Sequence, residues 1–155
     1  WTTQDTESVQ LTAFHGSPVI LAMVFTHCSY ACPRIVQDMK AITAELPDDM
    51  RANVQRVLVS IDPARDTPAA LTRFANAHGL DPDAWTLLRG DTADVRTLAA
   101  LLGVRYKPDA DGQLSHTNLI TTLNREGEII HQQTGLGASP ATTADVLISA
   151  TAAAP

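Results

Sequence analysis

The sequence predicts an α/β fold: one central mixed β-sheet with helices on both faces. Three observations predict it. Residues 18–26 and 54–61 are short apolar runs rich in β-branched residues, the mark of strands covered on both faces. Between and after them lie segments whose apolar residues recur at helical spacing, so strands and helices alternate. Near the end, Asn124-Arg125-Glu126-Gly127 separates two strand-like runs and supplies a glycine for the turn of a β-hairpin.

The elements follow in order. Residues 2–16 are polar with scattered apolar positions (Val9, Leu11) and read as an N-terminal hairpin or strand. Residues 18–26 form a central strand. A helix over 33–46 follows, with Ile35, Val36, Met39, Ile42 and Leu46 on one face and Pro47 as its stop. A second buried strand covers 54–61 and ends at Asp62-Pro63. Thr67 and Pro68 then supply the N-cap and first residue of a helix that reaches Gly79. Residues 85–88 are a short strand. Asp91 or Thr92 caps a third helix through Val95, Leu98, Leu101 and Leu102, closed by Gly103. A polar loop over 107–113 leads to strands at 114–123 and 128–133, and a last helix spans 141–150. A βαβ half followed by a ββα half is the thioredoxin-like plan, here with an N-terminal hairpin and an inserted helix and strand.

Composition bounds the rest. The 155 residues suit a single domain over 1–155, and a hydrophobic fraction of 45% against 18% charged provides a core. With only 5% aromatics, that core is aliphatic. The net charge of -6, with Lys40 and Lys107 as the only lysines and no basic cluster, excludes nucleic acid as a partner. Taken as a whole, the charge would steer the protein toward a basic partner. No apolar run approaches the ~20 residues of a membrane span. Since numbering opens at Trp1 without an initiator Met, contact with a membrane is expected only through an anchor ahead of this segment. The lack of a long exposed apolar stripe predicts a monomer.

Chemistry concentrates in Phe25-Thr26-His27-Cys28-Ser29-Tyr30-Ala31-Cys32-Pro33, where the first central strand hands over to the first helix. Ligand chemistry in open α/β sheets gathers at the carboxyl ends of strands. A helix N-terminus offers free N–H groups and partial positive charge, which favour thiolate over thiol. Both cysteines are therefore expected to ionise readily, against the alternative of inert buried thiols. Three residues separate them, where a dithiol oxidoreductase usually has two. The wider loop lets both sulfurs face one ion. Two thiolates suit Cu(I), zinc or iron–sulfur chemistry but fall short of an all-cysteine site, so a third ligand must come from elsewhere.

Five histidines compete for that place. Strand alternation turns His27 away from Cys28. His78 closes a helix and reads as a favourable charge at its C-terminus. His15 and His131 read as surface residues. His116 lies near the start of the strand that faces the cysteine loop in this plan, close to the place usually taken by a cis-proline. The residues alone leave it open between a structural strand histidine and a ligand.

Three blocks together resemble the Sco/SenC family: Thr26-His27-Cys28 to Cys32-Pro33; Val59-Ser60-Ile61-Asp62-Pro63-Ala64-Arg65-Asp66-Thr67-Pro68; and Ser115-His116-Thr117 with the strand and turn to Gly127. Order and spacing match from about residue 11 to 147, and the second block is the most distinctive. The resemblance implies one copper ion per chain, Cu(I) or Cu(II), held by Cys28, Cys32 and His116, with Asp62 supporting the site from the neighbouring strand end. Asp66 reads instead as a cap of the following helix, and Asp62 stays open between that capping role and support of the site. The resemblance also implies a periplasmic or otherwise extracytoplasmic location, with or without a membrane anchor. The implied role is maturation of the dinuclear copper centre of cytochrome c oxidase, between a copper donor protein and the copper-accepting subunit of a respiratory oxidase. One departure stands out: Ser29 occupies the position after the first cysteine where the family commonly has proline, which bears on loop stiffness and redox poise.

Two rivals use the same cysteines. A thiol–disulfide oxidoreductase would use Cys28 and Cys32 as a redox pair to keep a partner's copper-ligand cysteines reduced, and would not need His116. A peroxidase typically places Thr three residues before the reactive cysteine, whereas Thr26 stands two before Cys28.

Overall fold

The computed structural model describes residues 1–108 and 114–152. Its centre is a six-stranded sheet in the order β1-β4-β3-β2-β7-β8. Here β1 is Thr2–Thr3, β2 Val19–Val24, β3 Gln55–Ser60, β4 Trp85–Arg89, β7 Leu119–Leu123 and β8 Ile129–Thr134. Strands β2, β3 and β4 run parallel, while β7 pairs antiparallel with β2, and β8 with β7. All six residues of β2 are buried, as expected of a strand covered on both faces. The helices are α1 (Ala31–Ala44), α2 (Asp48–Asn53), α3 (Pro68–Ala77), α4 (Thr92–Leu102) and α5 (Pro140–Ala152). The core is aliphatic, with Ile20, Met23, Ile35, Met39, Ile42, Leu58 and Leu147 all but sealed from solvent.

Local chemistry sets the ends of these elements. Thr67 caps α3 by accepting from the Ala70 N–H, and Asp91 caps α4 by accepting from Asp94. Gly103 ends α4 in the left-handed region (φ 76°). In the β7–β8 turn the Asn124 side-chain oxygen accepts from the N–H groups of Glu126 and Glu128, and Gly127 takes φ 79°.

Three expectations change. The N-terminal hairpin exists, but only as a tight one in which Thr2 bridges Ser8 and Trp1 exchanges backbone bonds with Val9; Leu11 sits in a 3-10 turn, Leu11–Phe14. Beyond Pro47 the chain coils again into α2, with Asp48 and Asp49 in its first turn and Arg51 bonded back to the carbonyls of Ala44 and Leu46. The run expected as one strand over 114–123 is two. Leu114–His116 (β6) pairs with Tyr106–Pro108 (β5) in a separate ribbon, and β7 begins only at Leu119. Most of the expected loop over 107–113 lies outside the described residues; Lys107 itself is in β5. The break at Thr117 and Asn118 arises because Thr117 bonds to the Arg105 carbonyl while the Asn118 carbonyl accepts from Gly135. This break sets the ribbon, with His116 at its end, against the carboxyl end of β2.

Candidate metal centre

The first turn of α1 begins two residues earlier than its proline suggests, so Cys32 lies inside it. The N-cap residue, Tyr30, offers no side-chain acceptor. Cys28 takes that role: the Cys32 N–H donates to Cys28 Sγ at 3.2 Å. The helix N-terminus thus points at Cys28, as strand-to-helix logic predicts. Cys32 is wholly buried and Cys28 partly exposed, and neither is in a disulfide.

His116 completes the group. One ligand atom from each of Cys28, Cys32 and His116 lies within 4.8 Å of the others. His116 Nδ1 is 3.0 Å from the Thr117 carbonyl oxygen, which can only accept, so Nδ1 carries the proton. Nε2 is left with its lone pair, 3.6 Å from Cys32 Sγ. Burial holds the His116 pKa below the usual value, with the Thr117 bond opposing, and this favours the neutral imidazole that a metal needs. Phe25 meets the ring edge-on at 5.8 Å between centroids.

The expectation that both thiols ionise readily fails for Cys32. Burial pushes its thiol far above the ordinary range; a bond with the Phe25 backbone opposes this, and Cys28 and Asp66 add to it. Desolvation of a thiolate outweighs the helix N-terminus here. In the metal-free protein Cys32 keeps its proton.

The two aspartates make different contacts. Asp62 is at the end of β3 as expected, but its carboxylate is engaged by Arg65, and its N–H donates to Ser60 Oγ. Asp66, expected as a helix cap, leaves that role to Thr67. Its wholly buried carboxylate accepts from Ser60 Oγ (2.6 Å), Thr26 Oγ1 (2.6 Å) and the Thr26 N–H (3.2 Å). It therefore ties the root of the cysteine loop to the end of β3. Sequence reasoning missed this; its signal was a carboxylate inside the distinctive Asp62–Pro68 block with a helix cap already supplied by Thr67.

The remaining histidines lie outside the group. His27 and His15 are exposed, His27 Nδ1 being 3.2 Å from Thr26 Oγ1, and His131 is half-buried on β8. His78 does not act as a helix-end charge. Burial and the nearby Lys40 ammonium, which donates to the His78 carbonyl, hold its pKa down, and its ring lies 4.4 Å from that of Phe74.

Two sulfurs and a neutral imidazole nitrogen converging on one point make a soft, three-donor site with an open side. Comparison with known proteins agrees with this geometry. The SCO1/SenC family model matches residues 1–151. The SCO1 protein homolog of Bacillus subtilis is 24% identical over 140 residues, covering 88% of this chain and 72% of the relative. The chain spans about half the length of two further curated relatives it matches, 54% and 44%. Among solved structures, Bradyrhizobium japonicum ScoI with copper bound superposes with a TM-score of 0.78 at 26% identity, over 96% of this chain and 94% of that one. A SCO1/SenC family lipoprotein from Bacillus anthracis shares the fold at a TM-score of 0.86 and 21% identity, over 97% of this chain and 91% of that one. With its family model matched along nearly its whole length, the chain belongs to the SCO1/SenC family.

Proposed function

We propose that the protein is a copper metallochaperone: Cys28, Cys32 and His116 hold one copper ion, which is passed to a partner by ligand exchange. The observation that carries this reading is the bare Nε2 of His116 facing two sulfurs within 4.8 Å. Thiolate and imidazole donors suit Cu(I), and three ligands leave a side from which an incoming thiolate can join before one of them departs. The copper-bound Bradyrhizobium structure supports the choice of metal.

The finer role is copper delivery for the dinuclear centre of cytochrome c oxidase, outside the cytoplasmic membrane. Family membership supports the first part, and the Bacillus anthracis lipoprotein supports the second. The oxidoreductase alternative is less favoured by the site, because His116, with its Nε2 3.6 Å from Cys32 Sγ, would have no task in it.

Titration of the reduced protein with Cu(I) against a competing chelator tests the proposal. Wild type is expected to bind one copper, and His116→Ala, Cys28→Ala and Cys32→Ala to bind it far more weakly. Unchanged affinity in any of the three would overturn the ligand assignment.

A further inference from the structure

We infer that the free edge of β8 is a self-recognition surface, where a second copy of this chain adds its own β8 antiparallel about a two-fold axis. The inference is independent of the metal site.

The central sheet has two edges, β1 and β8. The β1 edge is blunted: it is two residues long, and Ser8 bridges Thr2 on its outer side. Strand β8 is six residues long and pairs only with β7. Strand parity fixes which of its backbone groups are spare. The Gly135 N–H donates to the Asn118 carbonyl, and Leu119–Thr122 pair one to one with residues 134–131. Ladder bonds therefore fall on His131, Gln133 and Gly135, and the N–H and C=O groups of Gln132 and Thr134 point away from β7. Among the described residues nothing else bonds to those groups.

Natural proteins guard such edges with charge, proline or a bulge. The only such device in β8 is the register shift at its start, between Thr122 and Leu123, which sets Ile129 opposite Leu123. Leu101 and Ile129, 72% and 46% exposed, line the apolar groove beside this edge. Gln132 Nε2 ties β8 to the same groove by donating to the Leu102 carbonyl. Spare backbone groups and an apolar rim thus lie together.

Charge selects the occupant. The chain carries -6 overall, yet no Asp, Glu, Lys or Arg occurs over 129–140 or 97–104, the segments that supply the edge and the α4 side of its rim. A charged strand would find no counter-ion there, whereas two neutral strips meet without repulsion. Orientation follows from the turns before β8, which carry Arg125, Glu126 and Glu128. Parallel pairing would set these net acidic turns side by side. Antiparallel pairing centred on Gln133 joins Gln132 of each copy to Thr134 of the other by backbone bonds in both directions. It also holds the turns roughly 30 Å apart, far beyond the screening length of about 8 Å. Because β8 runs parallel to β2, the two cysteine loops then point to opposite ends of a shared sheet and both metal sites stay open. Side-chain patterning predicts a monomer because an unpaired backbone leaves no mark in it.

The test is sedimentation equilibrium of the reduced, metal-free protein from about 10 µM to about 1 mM, with hydrogen exchange at both ends of that range. The weight-average mass is expected to rise from one chain toward two, and further at about 0.5 M NaCl, because salt screens the mutual repulsion of two acidic chains. Exchange of the Gln132 and Thr134 amides is expected to slow at least about fivefold at the high concentration, while His131 and Gln133 are protected at both. Thr134→Pro removes only an outward N–H, so it should keep the urea midpoint while weakening association at least about tenfold. If that variant does not fold, Leu101→Glu, a change on the exposed side of α4, is expected to weaken association by a similar factor. A single chain at the highest concentration would overturn the self-pairing. So would a dimer whose Gln132 and Thr134 amides exchange as fast as in dilute solution, since its contact would lie elsewhere.

Discussion

Asp66 accepts hydrogen bonds from both the backbone N–H and the hydroxyl of Thr26, 40 residues earlier in the chain. The same carboxylate accepts from Ser60 Oγ. A wholly buried acid is thus the clasp between the end of β2, where the cysteine loop begins, and the end of β3. Removing an acceptor that serves three buried or half-buried donors leaves all of them unsatisfied. Asp66→Ala is therefore expected to lower the unfolding free energy by about 3 kcal/mol, read from urea denaturation of the reduced, metal-free protein. Thr26→Val, which removes one hydroxyl, should cost about 1 kcal/mol. An Asp66→Ala change within error of zero would refute the clasp.

Copper affinity should depend on pH because Cys32 holds its proton in the metal-free protein. Binding as thiolate must expel it, so affinity rises with pH. His116 adds no competing proton near neutrality, since burial keeps its imidazole neutral until the pH falls below its lowered pKa. The apparent Cu(I) association constant is expected to climb at least about tenfold per pH unit between roughly pH 6 and 8. A competition titration at several pH values measures the slope, and a flat profile would show that the thiol is already ionised.

Folding stability should also fall in mild acid. His78 and His116 both have folded-state pKa values below the unfolded value of about 6.5. A lowered pKa means that the unfolded chain binds the proton first, so the stability these groups contribute is complete above pH about 6.5 and is lost as pH falls toward the folded values. Urea midpoints of the metal-free protein should drop from pH 7.5 to pH 5. His78→Gln should flatten part of that slope without touching the metal ligands. An identical slope in the variant would remove His78 from the account.

Much of this architecture was legible locally. The buried runs of β2 and β3, the Thr67 and Asp91 caps and the Gly127 turn are short-range signals, and each holds. The failures at Thr117, Cys32 and Asp66 share one physical cause, long-range pairing, whereas the missed helix α2 is a local one. No glycine or proline interrupts Leu114–Leu123, so nothing nearby announces that Thr117 will bond to Arg105 and Asn118 to Gly135. The helix N-terminus at Cys32 was visible, whereas the burial that overrides it depends on Phe25, His116 and the sheet. Asp66 looked like a cap because its true donors, Thr26 and Ser60, come from other elements.

Ser29 stands where the resemblance to the family leads one to expect proline, and a substitution there should improve stability. Its N–H donates no hydrogen bond among the described residues, so proline there would break none. Fixing one dihedral in the exposed loop between Cys28 and Tyr30 removes freedom from the unfolded chain. Where the loop accepts proline without strain, Ser29→Pro is expected to stabilise the reduced protein by about 0.4–1 kcal/mol. A stiffer loop also holds the two sulfurs at the spacing that a metal uses, so disulfide formation against a glutathione buffer should become less favourable while copper binding is kept. Urea denaturation and redox titration of the two proteins side by side measure both effects. Destabilisation of the proline variant would show that the serine loop follows a backbone path proline cannot adopt.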